Sequence, residues 1–151
     1  MITFEQAQEH HLPDIVAMLA NDPLGGAREV VSEPLNPAYV AAFDAIVADK
    51  NQLLVVALLD QTVVGTVQLS FIPGLALTGA WRGQIEAVRI RQDHRGSGLG
   101  RVMLGWAIAR CRERGCSMVQ LTTDKSRKEA HQFYERLGFQ ATHEGYKLSL
   151  R

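Results

Sequence analysis

The chain has 151 residues, 46% hydrophobic and 21% charged, and its 16 basic and 16 acidic side chains cancel to a net charge of zero. That size and composition fit one globular domain, long enough to bury roughly two-thirds of the surface its unfolded chain exposes. No run of about 18 apolar residues offers a membrane span, and Cys111 and Cys116 are too few for a disulfide framework or a structural zinc site, so they read as free, partly buried thiols. The opening "MITFEQAQEHHLPDI" is acidic where a secretion signal needs a basic stretch and an apolar core, so a cytoplasmic protein is expected.

In chain order, "MITFEQA" reads as a first strand and "HLPDIVAMLAND" as a short helix with Pro13 in its first turn. "PLGGAREVVSEPLNP" is a loop of turn formers, read as mobile, and "AYVAAFDAIVADK" has helical apolar spacing. "LLVVALLD" and "QTVVGTVQLSFI" form a buried hairpin turning at Asp60 and Gln61. "PGLALTGAWRG" is a loop and "GQIEAVRIR" a strand. "LGRVMLGWAIARCRERG" is a helix closed by Gly115, "SMVQLTTD" a strand, and "SRKEAHQFYERLG" a helix opened by Ser126 and closed by Gly138. "FQATHEGYKLSL" reads as a final pair of short strands. Hairpins at both ends with one strand-helix-strand crossover predict a single α/β (α+β) domain over residues 1–151, a mixed sheet flanked by helices.

The zero net charge conceals an uneven distribution. Residues 1–60 carry Arg28 and Lys50 against nine acids, a net of −7, and residues 61–151 carry fourteen bases against seven acids, a net of +7. A basic half suits a polyanionic ligand. The bases are scattered and few aromatics interleave with them, so a small phosphorylated ligand fits better than nucleic acid.

The stretch "RQDHRGSGLGRVMLGWAIAR", Arg91–Arg110, places glycines at every second position between an arginine and a helix. Glycines let successive backbone N–H groups turn inward, and the helix N-terminus adds partial positive charge, an arrangement suited to a phosphate or pyrophosphate. It is not a Walker loop, because Gly100 is followed by Arg101 and Val102 rather than Lys and Ser or Thr. A dinucleotide fingerprint would need its third glycine one residue later.

"RGSGLG" at Arg95–Gly100 resembles the acetyl-CoA loop of the GNAT superfamily of N-acetyltransferases, and "AHQFYERLGF" at Ala130–Phe139 resembles that family's penultimate helix and the strand after it. The resemblance is specific over residues 84–140 and rests only on element order over residues 1–80. It implies a GNAT-like sheet splayed between "QIEAVRI" and "SMVQLTTD", with acetyl-CoA as co-substrate in the cleft and no metal. Backbone groups of Val88, Arg89 and Ile90 would pair with the pantetheine arm, and N–H groups of Arg95, Gly96, Ser97, Gly98, Leu99 and Gly100 would hold the pyrophosphate.

Acetyl transfer to an amine needs the amine neutral, the carbonyl polarised and the departing thiolate protonated. Glu86 is the candidate base, direct or through water; otherwise it is a solvated carboxylate or a partner of Arg89 or Arg91. Tyr134 resembles the family tyrosine that protonates the thiolate. Holding both substrates in one cleft makes a covalent enzyme intermediate unnecessary, so neither cysteine is a nucleophile. Two departures from the family pattern stand out. Arg127 occupies a position where many relatives have asparagine, which makes Asp124, Lys125 and Arg127 candidate contacts to the adenosine side, and "RQDHRG" lacks the usual proline.

In that family the first helices and their connecting loop wall the acceptor site, so an acidic residue 1–60 half suits a small, cationic primary amine. Trp81 and Arg82, read as loop residues, and His143 are further acceptor candidates; His10 and His11 lack a third metal ligand. A protein lysine or N-terminal acetyltransferase and a non-catalytic acyl-CoA-binding module are the alternatives. A homodimer is common in the family; nothing in the sequence fixes it.

Overall fold

A computed structural model describes residues 1–151. Backbone contacts divide it into two units, Met1–Gln120 and Leu121–Arg151.

The first unit is built on a sheet of order β1-β2-β3-β4-β5, formed by Ile2–Gln6, Gln52–Leu59, Thr62–Ile72, Trp81–Ile90 and Cys116–Leu121. The first four strands are successively antiparallel. β5 lies beside β4 in the parallel sense, because Ser117 reaches Trp81 and Gln120 reaches Gln84 at the same offset of 36 residues. The β2-β3 turn sits where the sequence places it, with Asp60 (φ 49°) and Gln61 (φ 71°) both left-handed, as a two-residue turn between twisted strands requires.

The runs "LLVVALL" and "TVVGTVQLSFI" are almost continuously apolar because both faces of these strands are covered. Leu54, Val56 and Leu58 join a cluster with Leu12, Ile15 and Met18 of α1 (Leu12–Ala20) and Phe43 of α2 (Pro37–Ala48). Val55 and Ala57, which alternate with them and so face the other side, are equally buried. α4 (Leu99–Glu113) packs on β3 and β4 with Met103, Leu104, Ala107 and Cys111 fully buried. Gly83 on β4 permits that approach, since a Cβ there would collide with the Cys111 side chain. The one-turn α3 (Ala76–Gly79) contains left-handed Leu77 and Thr78, so the "PGLALTG" segment is largely the loop its composition predicts. Trp81 and Arg82 are the first residues of β4 rather than loop residues, because Arg82 is in register with Ile72.

The second unit contains α5 (Lys128–Arg136), which ends at Gly138 with φ 98°. Its N-cap is Arg127 rather than Ser126, whose N–H and hydroxyl both bond the Asp124 carboxylate instead. The expected closing pair of strands is absent. Residues 139–151 form no regular structure, and 140–151 are exposed throughout. The alternation is present in "YKLSL", but a strand exists only where its backbone groups meet a neighbouring ladder.

Candidate functional site

The local geometry of β4 is set by one residue. β3 and β4 are in register from Ile72↔Arg82 to Gln68↔Glu86, and again at Thr66↔Arg89 and Gly65↔Ile90. Between these, β4 has two residues, Ala87 and Val88, where β3 has only Val67. This is a β-bulge, and Ala87 carries it in the left-handed region at φ 53°. A non-glycine residue there costs on the order of 1–3 kcal/mol, strain that tends to be kept at functional sites. β5 ends at Leu121, whereas β4 continues through the bulge to Ile90, so Glu86–Ile90 have a strand neighbour on the β3 side alone.

Glu86 is exposed just before the bulge. It is not the partner of either nearby arginine. Arg91 pairs with Asp93, Nε to Oδ1 at 2.7 Å, and Arg89 pairs with Asp22, Nε to Oδ2 at 3.0 Å, in surroundings that leave those side chains only 14% and 10% exposed. The Arg91 guanidinium beside Asp93 holds that carboxyl below the usual range. Arg89 also donates to the Val88 carbonyl at 2.9 Å, fixing the orientation of the bulge peptide.

After β4 the chain makes a 3-10 turn at Gln92–His94 and enters the glycine loop. Gly96 and Gly98 adopt φ 78° and 87°, and Gly98 is the N-cap of α4. A Cβ at either position would meet nothing within 4 Å, so conformation rather than crowding demands glycine there. The first intrahelical bond runs from the Val102 N–H to the Gly98 carbonyl, which leaves the N–H groups of Leu99, Gly100 and Arg101 as the helix's unpaired donors. Ser97 donates its hydroxyl to the His94 carbonyl and closes the turn. Arg95 donates to the carbonyls of Ile90 and Asn21, both at 3.2 Å. Its charge meets no carboxylate in those bonds, and with exposed Arg101 it keeps the loop mouth positive. Donors without partners, two left-handed glycines and local positive charge fit a pyrophosphate.

Asn21 and Asp22 are candidate site residues that the sequence reading missed. Asp22 accepts from the N–H groups of Leu24 and Gly25 while it pairs with Arg89. Asn21 accepts from Arg95 and donates to Gln92 at 3.2 Å. The loop after α1 is therefore tied to β4 and to the entrance of the glycine loop. The Tyr39 hydroxyl holds its next stretch by donating to Glu29 and accepting from the Val30 N–H, each at 2.9 Å. The loop is tied at its start by Asn21 and Asp22 and midway by Glu29 and Val30.

In the second unit, Tyr134 is half-buried on α5 between Phe133 and Phe139, with ring centroids 5.3 and 5.9 Å away in edge-to-face contact. Arg127 is half-buried, and its backbone links Asp124 to the first turn of α5. His143 lies in the irregular, exposed C-terminal segment. Both thiols are free; burial raises Cys111 to about 11 and raises Cys116 as well, which keeps them protonated and unsuited to nucleophilic attack. No three His, Cys, Asp or Glu side chains converge as metal ligands.

A strained bulge followed by a glycine-capped helix puts an open strand edge beside an anion-binding helix start on a mixed sheet. The profile of the acetyltransferase (GNAT) family matches residues 14–139, and the chain belongs to that family. It is an acetyltransferase. It is 31% identical over 106 residues to the aminoalkylphosphonate N-acetyltransferase of Salmonella typhimurium, a match covering 70% of this chain and 68% of that protein. It is 35% identical over 88 residues to the glucosamine 6-phosphate N-acetyltransferase of Trypanosoma brucei brucei, covering 58% of each. The crystal structure of a transcriptional regulator from Bacillus halodurans C-125 is 47% identical, with a TM-score of 0.97 over 99% of this chain and 100% of that one.

Proposed function

We propose that the protein transfers the acetyl group of acetyl-CoA to the primary amine of a small molecule by direct attack within a ternary complex. The observation that carries this reading is the junction of β4 and α4. The end of β5 at Leu121 leaves one side of Val88–Ile90 open to pair with an extended arm, the bulge at Ala87 shapes that edge, and the Gly96–Gly98 turn presents unpaired N–H donors to a pyrophosphate. Both curated relatives are named as N-acetyltransferases of small amines, which supports the acceptor class.

Glu86 takes a proton from the ammonium form of the acceptor, directly or through one water, and frees the nitrogen lone pair. That nitrogen attacks the thioester carbonyl carbon. As the carbon–sulfur bond breaks, the Tyr134 hydroxyl protonates the departing thiolate, so the products are the amide and the free thiol. Orientation of both substrates supplies much of the rate. The net −7 of residues 1–60 favours an acceptor that arrives as an ammonium ion.

The test is a thiol-release assay with acetyl-CoA against aminoalkylphosphonates, amino sugar phosphates, polyamines, amino acids and lysine peptides, run beside acetyl-CoA calorimetry. Turnover on a small amine, lowered by Tyr134→Phe with acetyl-CoA affinity unchanged, is expected. Turnover on peptides alone would overturn the acceptor class, and full activity of the Phe variant would remove Tyr134 as the acid.

A further inference from the structure

At the end of α4 away from the glycine loop lies a second cleft, of about 310 Å³. Its floor is Leu53 of β2 and Phe71 of β3, and its walls are the last turns of α4, the end of β1 and the connection from α2 to β2. The length of α4, roughly 20 Å of helical rise, separates it from the glycine loop. The cleft shares no residue with the candidate site above.

Two guanidinium groups are oriented in it by aromatic rings. Arg114 lies over Phe71, 4.1 Å from the ring centroid, and donates to the Lys50 carbonyl at 3.2 Å and to Asn51 Oδ1 at 2.9 Å. Both acceptors are uncharged, so its charge is not neutralised. Arg110 lies over Trp106, 5.0 Å from the ring centroid, and its Nη2 donates to Glu113. The Arg110 Nε is buried and has no acceptor, although buried donors in folded proteins nearly always have one. Lys50 forms no ion pair.

The charge of the lining selects the class of ligand. Lys50, Arg110 and Arg114 face Asp49 and Glu113, a surplus of one positive charge. One Asp49 oxygen is already taken by the Asn51 N–H at 2.8 Å. A monoanion balances the lining, whereas a phosphate dianion would exceed it beside two carboxylates. A carboxylate also matches the planar donors of a guanidinium. The apolar floor suits a hydrocarbon body, and the volume, at the small end for ligand pockets, suits a single ring.

We propose that this cleft is a second ligand site, one that takes a small monocarboxylate with its charged group between Lys50 and Arg110 and its apolar body on Leu53 and Phe71. Holding the guanidiniums on Trp106 and Phe71 beforehand lowers the cost of ordering them around the ligand. The proposal does not depend on the acceptor class or on the roles of Glu86 and Tyr134.

Titration of the isotope-labelled full chain with benzoate, followed by two-dimensional amide NMR, tests it. Saturable shifts are expected at residues 47–53, Phe71 and residues 110–114, with a dissociation constant of about 1 mM or tighter. Arg110→Met keeps an unbranched stem over Trp106 and should weaken benzoate about tenfold, and Lys50→Met should act in the same direction. Neither side chain's charged group bonds outside its own element, so both variants should fold. Neutral benzamide should bind more weakly than benzoate and respond to neither substitution. The absence of saturable shifts around the cleft, or shifts at the glycine loop alone, would overturn the proposal. Phenyl phosphate binding in the cleft more tightly than benzoate would overturn the monoanion class, and wild-type benzoate affinity in both variants would remove the cations from recognition.

Discussion

Two stretches frame the candidate site and are held in place by different means. From Trp81 to Gly100 the shape is a property of the backbone: Ala87 makes the bulge, and Gly96 and Gly98 make the turn into α4, each through a left-handed φ. From Asn21 to Asn36 the shape is a property of side chains, with Asp22, Asn21 and Tyr39 each tying down a different point. The first kind of order suits a ligand that never varies. The second can be retuned by a few substitutions, which suits the side of a transferase that selects its acceptor.

The comparison breaks most sharply at Gly98. Valine at φ 87° is strained whatever space surrounds it, and the first turn of α4 would lose its cap geometry. Gly98→Val is expected to weaken acetyl-CoA binding by about a hundredfold or more, a loss near 2.7 kcal/mol, with little change in far-ultraviolet circular dichroism. Calorimetric titration with acetyl-CoA checks it; near-normal affinity would mean that the loop does not hold the pyrophosphate.

Glu86 lies where the two stretches would act together. It makes no hydrogen bond or ion pair, so Glu86→Gln removes a proton acceptor without breaking a structural contact. The expected outcome is a loss of kcat/KM of roughly a hundredfold at neutral pH. Acetyl-CoA affinity should stay close to wild type. Wild-type kcat/KM in the variant would assign the base elsewhere.

Asp22→Asn sharpens the contrast with a smaller effect. It keeps the shape and acceptor oxygen that Leu24 and Gly25 use while removing the charge that holds Arg89. With both side chains mostly buried, the variant should lose on the order of 1–3 kcal/mol of stability, below the full cost of an unpaired buried charge because some solvent reaches the pair. Its kinetic signature should be a several-fold rise in KM for the amine with a smaller change for acetyl-CoA. Equal changes in both would make the pair a general strut of the sheet.

The same division explains what was legible in the residues alone. Backbone-determined structure leaves composition signals: glycines at 96, 98, 115 and 138 all prove left-handed, and Asp60 and Gln61 turn where the apolar runs break. The mixed sheet and its crossover follow from those marks. The ties of Asn21 were invisible because their partners, Gln92 and Arg95, stand 71 and 74 residues away, and neither partner type predicts the other. Ala87 was missed because alanine carries no mark of a positive φ. Ser126 misled in the opposite sense: a good cap by type, it lost its hydroxyl to Asp124, two residues before it. The C-terminal strands failed because a local pattern specifies a face and never a neighbour.

The smallest expected effect concerns His11, at the base of the wall that leads into the Asn21 loop. It is 7% exposed, and its Nδ1 accepts the Gln8 N–H at 3.0 Å, which requires the neutral ring. Burial, and then the neighbouring His10, lower its pKa from 6.5, against smaller opposing effects of Glu5 and Asp14. An unfolded chain therefore takes up a proton near pH 6.5 that the folded chain refuses until lower pH. Stability is full above about pH 6.5 and declines as pH falls through the interval between the unfolded and folded values. Asp93, whose carboxyl is lowered from 3.8, acts in a separate and more acidic window. His11→Asn keeps an acceptor for the Gln8 N–H without a titrating group. Urea denaturation at pH 7.5 and 5.5 should show a smaller loss for the variant than for wild type. Parallel losses would mean that the ring is protonated in the folded state, so that the wall tolerates a charge its burial argues against.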